Sequence, residues 1–306
     1  MIAAWIPVTL AAAFVQNLRF MLQKHLASTG FSPAGSTFAR FVFAAPLVAL
    51  LALSYGTVSG QIRPTMPTSF WGFALLGALC QILATVCVVA VFAHRNFAVG
   101  MTFKKTEAML AAVVGVILLG DPLSWVGGAA LAIGFVGLVF LSDPPDATGP
   151  LVRRIFNRAA GLGLASGVFF AFSANSYRGA SLALGSGDAF LRAATTLAIV
   201  TAVQTVGLGA WLIWREPGQV SRVLSHWRVT AMVGLTSLTG SLCWFTAYTL
   251  QTAAYVNAVG QVELIFSYLA SVLFFRERTT VRETAGMAIL IVSVLMIIAF
   301  VRPPSL

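Results

Sequence analysis

One cluster of ionisable side chains, Lys104, Lys105 and Glu107, stands inside a long apolar stretch of the sequence. Lys104 and Glu107 are three residues apart, so they can pair along one face of a helix. A buried charge in an apolar span is costly unless a partner or a ligand offsets it, so Lys105 and Glu107 are candidates for ligand binding. The alternative is that the lysine side chains extend to the end of the stretch and place their charges in water.

A second cluster, Asn257, Gln261 and Glu263, stands inside a later apolar stretch. Asn257 and Gln261 share one helix face, and Glu263 lies about a third of a turn away. Glu263, like Glu107, is a candidate to accept a coupling proton. If this cluster and Lys105 line one cavity, its cationic and neutral walls suit a solute with a carboxylate. The alternative is that the amides only join helices, at about 1 kcal/mol per hydrogen bond.

Two further groups of polar side chains lie too deep in apolar stretches to belong to loops. Trp244 and Tyr248 are one helical turn apart, so their N–H and O–H groups need partners in the protein interior. They could stack a flat side chain or an ammonium group, or they could serve core packing alone. The amides Gln16, Asn17 and Asn175 are candidates to face the same cavity.

Membrane-spanning helices must position these side chains. Of the 306 residues, 58% are hydrophobic and 9% are charged, whereas a soluble domain is about 25% charged. The apolar stretches have about the 20 residues that a spanning helix needs, and they lack the alternation of barrel strands. We predict an all-α membrane protein with ten spans, at 3–25, 34–55, 69–92, 98–119, 123–141, 160–183, 188–214, 228–250, 255–275 and 280–300.

The basic residues of the chain indicate membrane topology. The formal net charge is +10, but the basic residues are scattered singly or in pairs at span ends, without a basic domain that could bind nucleic acid. Their distribution over the loops favours both termini outside the cytoplasm. The three histidines and three cysteines lack metal-ligand spacing, and no P-loop or nucleophile motif occurs. We therefore predict no metal, no cofactor and no enzymatic activity.

The chain divides into two related halves, 1–145 and 158–306, joined by a proline-containing linker at 146–157. An offset of 156 residues aligns several unlike residue types without a gap, and the intramembrane glutamates Glu107 and Glu263 are the most informative pair. The other aligned pairs are Trp71 with Trp227, Thr85 with Ser241, Phe92 with Tyr248, and Asp121 with Glu277.

Five spans in each half have a geometric consequence. The second half enters the membrane from the opposite side, which gives an inverted-topology repeat, an architecture characteristic of alternating-access transporters. The alternative is a duplication retained only for packing. Arg40 and Arg192, each in an F-x-R sequence, also correspond. We interpret both as structural arginines that join helices through backbone carbonyls.

Two stretches carry a resemblance to a known family, EAMLAAVVGVILLGDPLSW from Glu107 and ELIFSYLASVLFFRERTTV from Glu263. Each has an intramembrane Glu, an apolar run and an acidic residue at the helix end, and they resemble two copies of the EamA-type signature of the drug/metabolite transporter superfamily. Arg40 also matches the second-span arginine of this family, although Ala108 and Leu264 stand where the family often has proline. Within the superfamily the chain is most similar to bacterial aromatic amino-acid exporters of the YddG type.

The resemblance implies ten transmembrane helices in two inverted five-helix repeats around a central cavity. It also implies export of amino acids, with aromatic or large neutral ones favoured, or of related small metabolites across the bacterial inner membrane. The alternative solute is a drug or quaternary-amine cation, bound by the glutamates and Trp244. Transport is expected to be secondary, either proton-coupled or facilitative, by a monomer in the lipid bilayer. A lipid-modifying enzyme and a non-transporting scaffold are the remaining alternatives.

Overall fold

The structure is a computed structural model that describes residues 3–61, 64–91, 104–141, 158–265 and 281–300. Within these ranges all regular secondary structure is helical. The helices are α1 (Trp5–Ser28), α2 (Pro33–Val42), α3 (Ala44–Val58), α4 (Thr68–Val91), α5 (Glu107–Leu119), α6 (Trp125–Leu141), α7 (Arg158–Ala183), α8 (Ala189–Arg215), α9 (Gln219–Ser225), α10 (Trp227–Leu250), α11 (Ala253–Gly260) and α12 (Val281–Phe300).

Five helical segments of the described ranges are long and apolar enough to cross a membrane. They are α1, the α2–α3 segment Pro33–Val58, α4, α8 and α10. Helices α5, α6 and α12 contain shorter apolar stretches, and α7 occupies the sixth predicted span. Parts of the predicted spans 98–119 and 255–275 lie outside the described residues. The chain is therefore a multi-pass helical membrane protein.

The second predicted span, 34–55, is not one continuous helix. The structure ends α2 at Val42 and begins α3 at Ala44, so the helix is interrupted at Phe43. Pro46 explains the break, because proline lacks an N–H and its ring clashes with the carbonyl four residues earlier, which here belongs to Val42. The short helix α9 in the loop before α10 was also not predicted.

Two further interruptions lie inside the predicted spans 98–119 and 255–275, at positions that the 156-residue offset aligns. Lys105 and Thr106 form a turn immediately before α5, and Gln261 forms a turn that ends α11. Lys105 and Gln261 are the residues that the 156-residue offset aligns. The Gln261 side chain donates a hydrogen bond of 3.4 Å to the Lys105 carbonyl. Each half thus has a non-helical turn beside its polar cluster. Such a turn is tolerated within a membrane when protein surrounds it.

The packing of the helices is reciprocal between the halves. Helix α4 of the first half packs along α7 of the second, and α10 of the second half packs along α1 of the first. Helices α5 and α11 pack against each other, as do α6 and α12. Small residues permit the close approach of α4 and α7, where the Gly77 carbonyl accepts a hydrogen bond of 2.9 Å from Tyr177.

Asp188 caps the N-terminus of α8, just outside that span. Its carboxylate accepts hydrogen bonds of 2.7–2.8 Å from the Leu191 N–H, the Tyr55 hydroxyl and the Gln61 amide. Partial burial alone would raise the pKa of Asp188, but these hydrogen bonds outweigh burial and lower the pKa below its ordinary value. A lowered pKa stabilises the fold above the unfolded-state pKa, and this contribution is lost as the pH falls through the folded-state pKa.

We expect Asp188→Ala to lower the free energy of unfolding by about 1 kcal/mol, the usual cost of losing an N-cap. Asp188→Asn retains a capping oxygen, so it should lose less stability than Asp188→Ala at neutral pH. It should also remove the pH-dependent stabilisation that the wild type loses below about pH 4. Thermal unfolding in detergent between pH 3 and pH 7 measures both effects. Equal stability of the wild type and Asp188→Ala at pH 7 would contradict the assignment.

Candidate functional site

The polar side chains of the two halves converge on a cavity at the centre of the helix bundle. The cavity is small, about 30 Å³, which is room for one or two water molecules. Five of the predicted site residues line it: Gln16, Glu107, Trp244, Tyr248 and Asn257. It is also lined by residues that were not predicted to bind solute: Arg40, Gln81, Lys104, Phe170, Ser173, Tyr177, Ser241 and Phe245.

The first charged cluster pairs within itself, as its spacing predicts. The Lys104 Nζ lies 3.1 Å from the Glu107 carboxylate and 5.0 Å from the centre of the Phe170 ring. Lys104 is 1% exposed and Lys105 is 4% exposed. The alternative that these lysines extend into water is therefore wrong, since both ammonium groups lie inside the protein.

The second ion pair joins the two halves of the chain. The Lys105 Nζ lies 2.6 Å from the Glu263 carboxylate, and both side chains are buried. The charge of Lys105 is thus offset by a carboxylate, and this lysine does not form a free cationic wall. Lys105 and Gln261 line a separate space of about 20 Å³ beside the main cavity. The pair holds the two helix interruptions together.

Aromatic side chains form the other side of the cavity. The Trp244 and Tyr248 rings stack with centroids 5.7 Å apart, and the Tyr248 hydroxyl donates a 2.8 Å hydrogen bond to the Asn257 side-chain oxygen. The buried Trp244 N–H has no hydrogen-bond partner among the described residues. This N–H is therefore available to a ligand in the cavity, and a hydrogen bond to a ligand would offset the cost of burying an unpaired donor.

Arg40 lies in the cavity wall and is held by three hydroxyl groups. Its Nε donates to Ser237, its Nη1 to Thr85 and its Nη2 to Ser241, at 2.9, 2.9 and 3.2 Å. The prediction that Arg40 joins helices through backbone carbonyls is therefore wrong in its partners. Thr85 and Ser241 were aligned by the repeat offset, which was a signal in the sequence that Arg40 lies between the halves. Arg192, its counterpart on α8, does not line the cavity.

The remaining predicted amides lie away from the cavity or at its edge. Asn175 donates hydrogen bonds of 2.9 Å to the carbonyls of Ala111 and Ala171, so its amide joins α7 to α5. Asn17 is half-buried and does not line the cavity. Gln16 does line it and accepts a 3.4 Å hydrogen bond from Arg19.

A further ion pair links α7 to the residues that follow α5, by a contact that the sequence did not indicate. Arg178 on α7 lies 3.2 Å from the Asp121 carboxylate, beyond the end of α5. Its Nη1 also donates a 2.8 Å hydrogen bond to the Tyr248 carbonyl. Arg178 therefore positions the end of α10 that carries the aromatic pair.

An apolar groove of about 560 Å³ lies between α4 and α8. Its lining includes Leu79, Leu83, Val203 and Trp211. Both helices are candidate spans, and the apolar lining of the groove is suited to acyl chains. It lacks the charged groups of the central cavity, which remains the candidate solute site.

Comparison with known proteins supports a transporter. Residues 158–299, just under half of the chain, match the EamA-like transporter family. No curated protein matches the chain by sequence. The fold is shared with a protein of known crystal structure, with a TM-score of 0.69, 12% identity, and coverage of 97% of this chain and 96% of that chain. Residues 158–299 of the chain are thus similar to an EamA-like transporter domain, which supports the drug/metabolite transporter superfamily and a membrane transporter of small solutes.

Proposed function

We propose that the protein exports amino acids with aromatic or large neutral side chains by alternating access, as bacterial exporters of the YddG type do, in the bacterial inner membrane. The observation that carries this proposal is the central cavity, which has charged groups on one side and a stacked aromatic pair on the other. A zwitterion with a flat side chain matches both sides. Carboxylate, ammonium and ring each have chemically suited partners there.

The proposed architecture is ten helices in two inverted repeats. Reciprocal packing of α4 on α7 and of α10 on α1 supports it. The helix interruptions at Lys105 and Gln261 support it as well, because the two positions are equivalent under the repeat offset. Discontinuous helices beside the binding site are common in inverted-repeat transporters. The assignment of residues 1–145 as a first EamA-like repeat is part of the same proposal.

The transport cycle follows from the size of the cavity. Because space for one or two water molecules cannot hold an amino acid, we infer that this cavity belongs to a closed conformation. Solute binding then requires helices of the two halves to separate on one side of the membrane at a time. Glu107 and Glu263 are the candidate proton acceptors if export is proton-coupled, and facilitated export needs neither to titrate.

A cation exporter is the second candidate function. Trp244, Tyr248 and Glu107 could bind a quaternary amine through ring faces and a carboxylate. The surrounding charge argues against it. The buried cations of the described core around the cavity, Arg19, Arg40, Lys104 and Lys105, outnumber the carboxylates Glu107 and Glu263 by four to two. A cationic solute would enter a site that already has excess positive charge.

Counterflow in proteoliposomes distinguishes the two functions. Vesicles loaded with unlabelled solute are diluted into labelled tryptophan, phenylalanine, leucine or a quaternary amine. We expect transient accumulation of the amino acids, with tryptophan and phenylalanine accumulating most, and none of the amine. Vesicles without protein are the control. Accumulation of the amine but not of the amino acids would overturn the proposal in favour of the cation exporter. Absence of flux for every solute would favour a non-transporting scaffold.

A further inference from the structure

Arg40 presents an uncompensated positive charge to the central cavity. The side chain is 3% exposed, and its three hydrogen-bond partners, Ser237, Thr85 and Ser241, are all neutral hydroxyl groups. In the part of the chain that the structure describes, no carboxylate pairs with it. The carboxylates nearest the cavity are already paired, Glu107 with Lys104 and Glu263 with Lys105.

The geometry of the three hydrogen bonds leaves part of the guanidinium free. A guanidinium has five N–H donors, one on Nε and two on each terminal nitrogen. The hydroxyls use one donor on each of the three nitrogens. One N–H therefore remains on Nη1 and one on Nη2. These two donors are available to the oxygens of a carboxylate.

Energetics argue for an anion at this position. A buried charge without a counter-ion costs several kcal/mol, and neutral hydroxyl groups reduce this cost without removing the charge. Arg19 adds to the imbalance, since it is 2% exposed and its Nε has no hydrogen-bond partner among the described residues. An anionic group bound in the cavity would offset charge that the described side chains leave uncompensated.

We propose that Arg40 binds the carboxylate of the transported solute, while the Trp244 ring contacts its side chain. This inference rests on the proposed function for the identity of the solute, but it specifies the chemical requirement: a carboxylate is needed, and an amine without one is not a substrate. The positioning residues are Thr85 and Ser241, one from each half. Anion binding is thereby linked to the relative position of α4 and α10.

Ligand-induced thermal stabilisation of the purified protein tests the carboxylate requirement without depending on transport. The probes are tryptophan, indole-3-propionate, which lacks the amine, tryptamine, which lacks the carboxylate, and chloride. We expect the two carboxylates to raise the unfolding temperature of the wild type, and tryptamine and chloride to leave it unchanged. Stabilisation by tryptamine equal to that by indole-3-propionate would overturn the proposal. The proposal would also be overturned if chloride raised the unfolding temperature as much as the carboxylates do, since the site would then bind a halide.

Variants of Arg40 and of its partners locate the effect. Arg40→Gln should weaken binding of both carboxylates at least 10-fold, and Arg40→Lys should restore only part of it, because an ammonium lacks the two parallel donors. Thr85→Val, which keeps the side-chain volume, should weaken carboxylate binding less than Arg40→Gln does. It still tests the proposal if the Arg40→Gln variant does not fold. The matched control is Arg215→Gln, an exposed arginine at the end of α8. Unchanged carboxylate affinity in Arg40→Lys and Thr85→Val together would overturn the proposal.

The two proposals can fail separately. If tryptophan shows no counterflow but carboxylates still stabilise the wild type through Arg40, the amino-acid exporter is wrong and the carboxylate site stands. Suppose instead that the wild type transports tryptophan, and that the Arg40→Lys variant transports both tryptophan and tryptamine with unchanged apparent affinity for tryptophan. The exporter then stands and the carboxylate site is wrong.

Discussion

Replacing Lys105 by alanine is expected to lower the free energy of unfolding by about 3 kcal/mol. The substitution leaves the Glu263 carboxylate buried without the ammonium that lies 2.6 Å away. Removal of one partner of a buried ion pair costs roughly 3–5 kcal/mol, because the remaining charge stays desolvated. We expect the lower end of this range, since Lys104 also contributes positive charge near Glu263.

A double variant separates the ion pair from general packing. Lys105→Met with Glu263→Met removes both charges and approximately keeps the side-chain volumes, so its stability should return to within about 1 kcal/mol of the wild type. Lys24→Ala, at an exposed lysine of α1, is the control and should change stability by less than about 0.5 kcal/mol. Thermal unfolding in detergent measures all three. A double variant no more stable than Lys105→Ala would show that the pair does not join the halves as described.

Replacing Trp244 by alanine is expected to weaken the apparent affinity for aromatic amino acids about 10-fold, with a smaller effect for leucine. An aromatic pair contributes about 0.5–1.5 kcal/mol beyond the burial of its surface, and 1.4 kcal/mol corresponds to a factor of ten. Trp244→Phe keeps a ring for stacking on Tyr248 but removes the N–H, so its affinity should lie between those of the wild type and the alanine variant.

Competition for labelled tryptophan in counterflow measures these affinities. Trp227→Ala is the matched control, because Trp227 is an exposed indole at the start of the same helix, α10. Gel filtration checks that each variant is folded, since removal of a buried tryptophan also costs stability. If Trp244→Ala weakened leucine and tryptophan equally, the aromatic pair would serve packing and not selection of the solute.

Most helix positions could be predicted from hydropathy. The predicted spans 3–25, 69–92, 188–214 and 228–250 each agree with a helix of the structure to within three residues at either end. Apolar length alone gives this information, because a spanning helix must cover the hydrocarbon core. Hydropathy does not report whether a helix is continuous. The interruptions at Phe43, Lys105 and Gln261 depend on local backbone geometry, and only the first has a proline nearby to indicate it.

The contacts inside the site were predictable only where they are local. The three-residue spacing of Lys104 and Glu107 predicted their ion pair correctly, although a turn at Lys105 and Thr106 separates the two residues. Lys105 and Glu263 are separated by 158 residues, about half of the chain, and a single sequence does not show which distant residues meet. Arg40 is the instructive case. The alignment of Thr85 with Ser241 already placed equivalent hydroxyls in both halves, but only the structure shows one guanidinium between them.

The central claim is that the two halves expose one cavity alternately to the two sides of the membrane. Ser173 on α7 lines that cavity, so a Ser173→Cys variant can report its accessibility once Cys80, Cys87 and Cys243 are replaced. The control is Ser166→Cys on the same helix, where the native Ser166 hydroxyl donates a hydrogen bond to the Ala84 carbonyl and is buried. With a membrane-impermeant thiol reagent in proteoliposomes, we expect the Ser173→Cys variant to react from either side of the membrane and tryptophan to protect it. We expect the Ser166→Cys variant to react from neither side. Reaction of the Ser173→Cys variant from one side only, unchanged by tryptophan, would contradict alternating access.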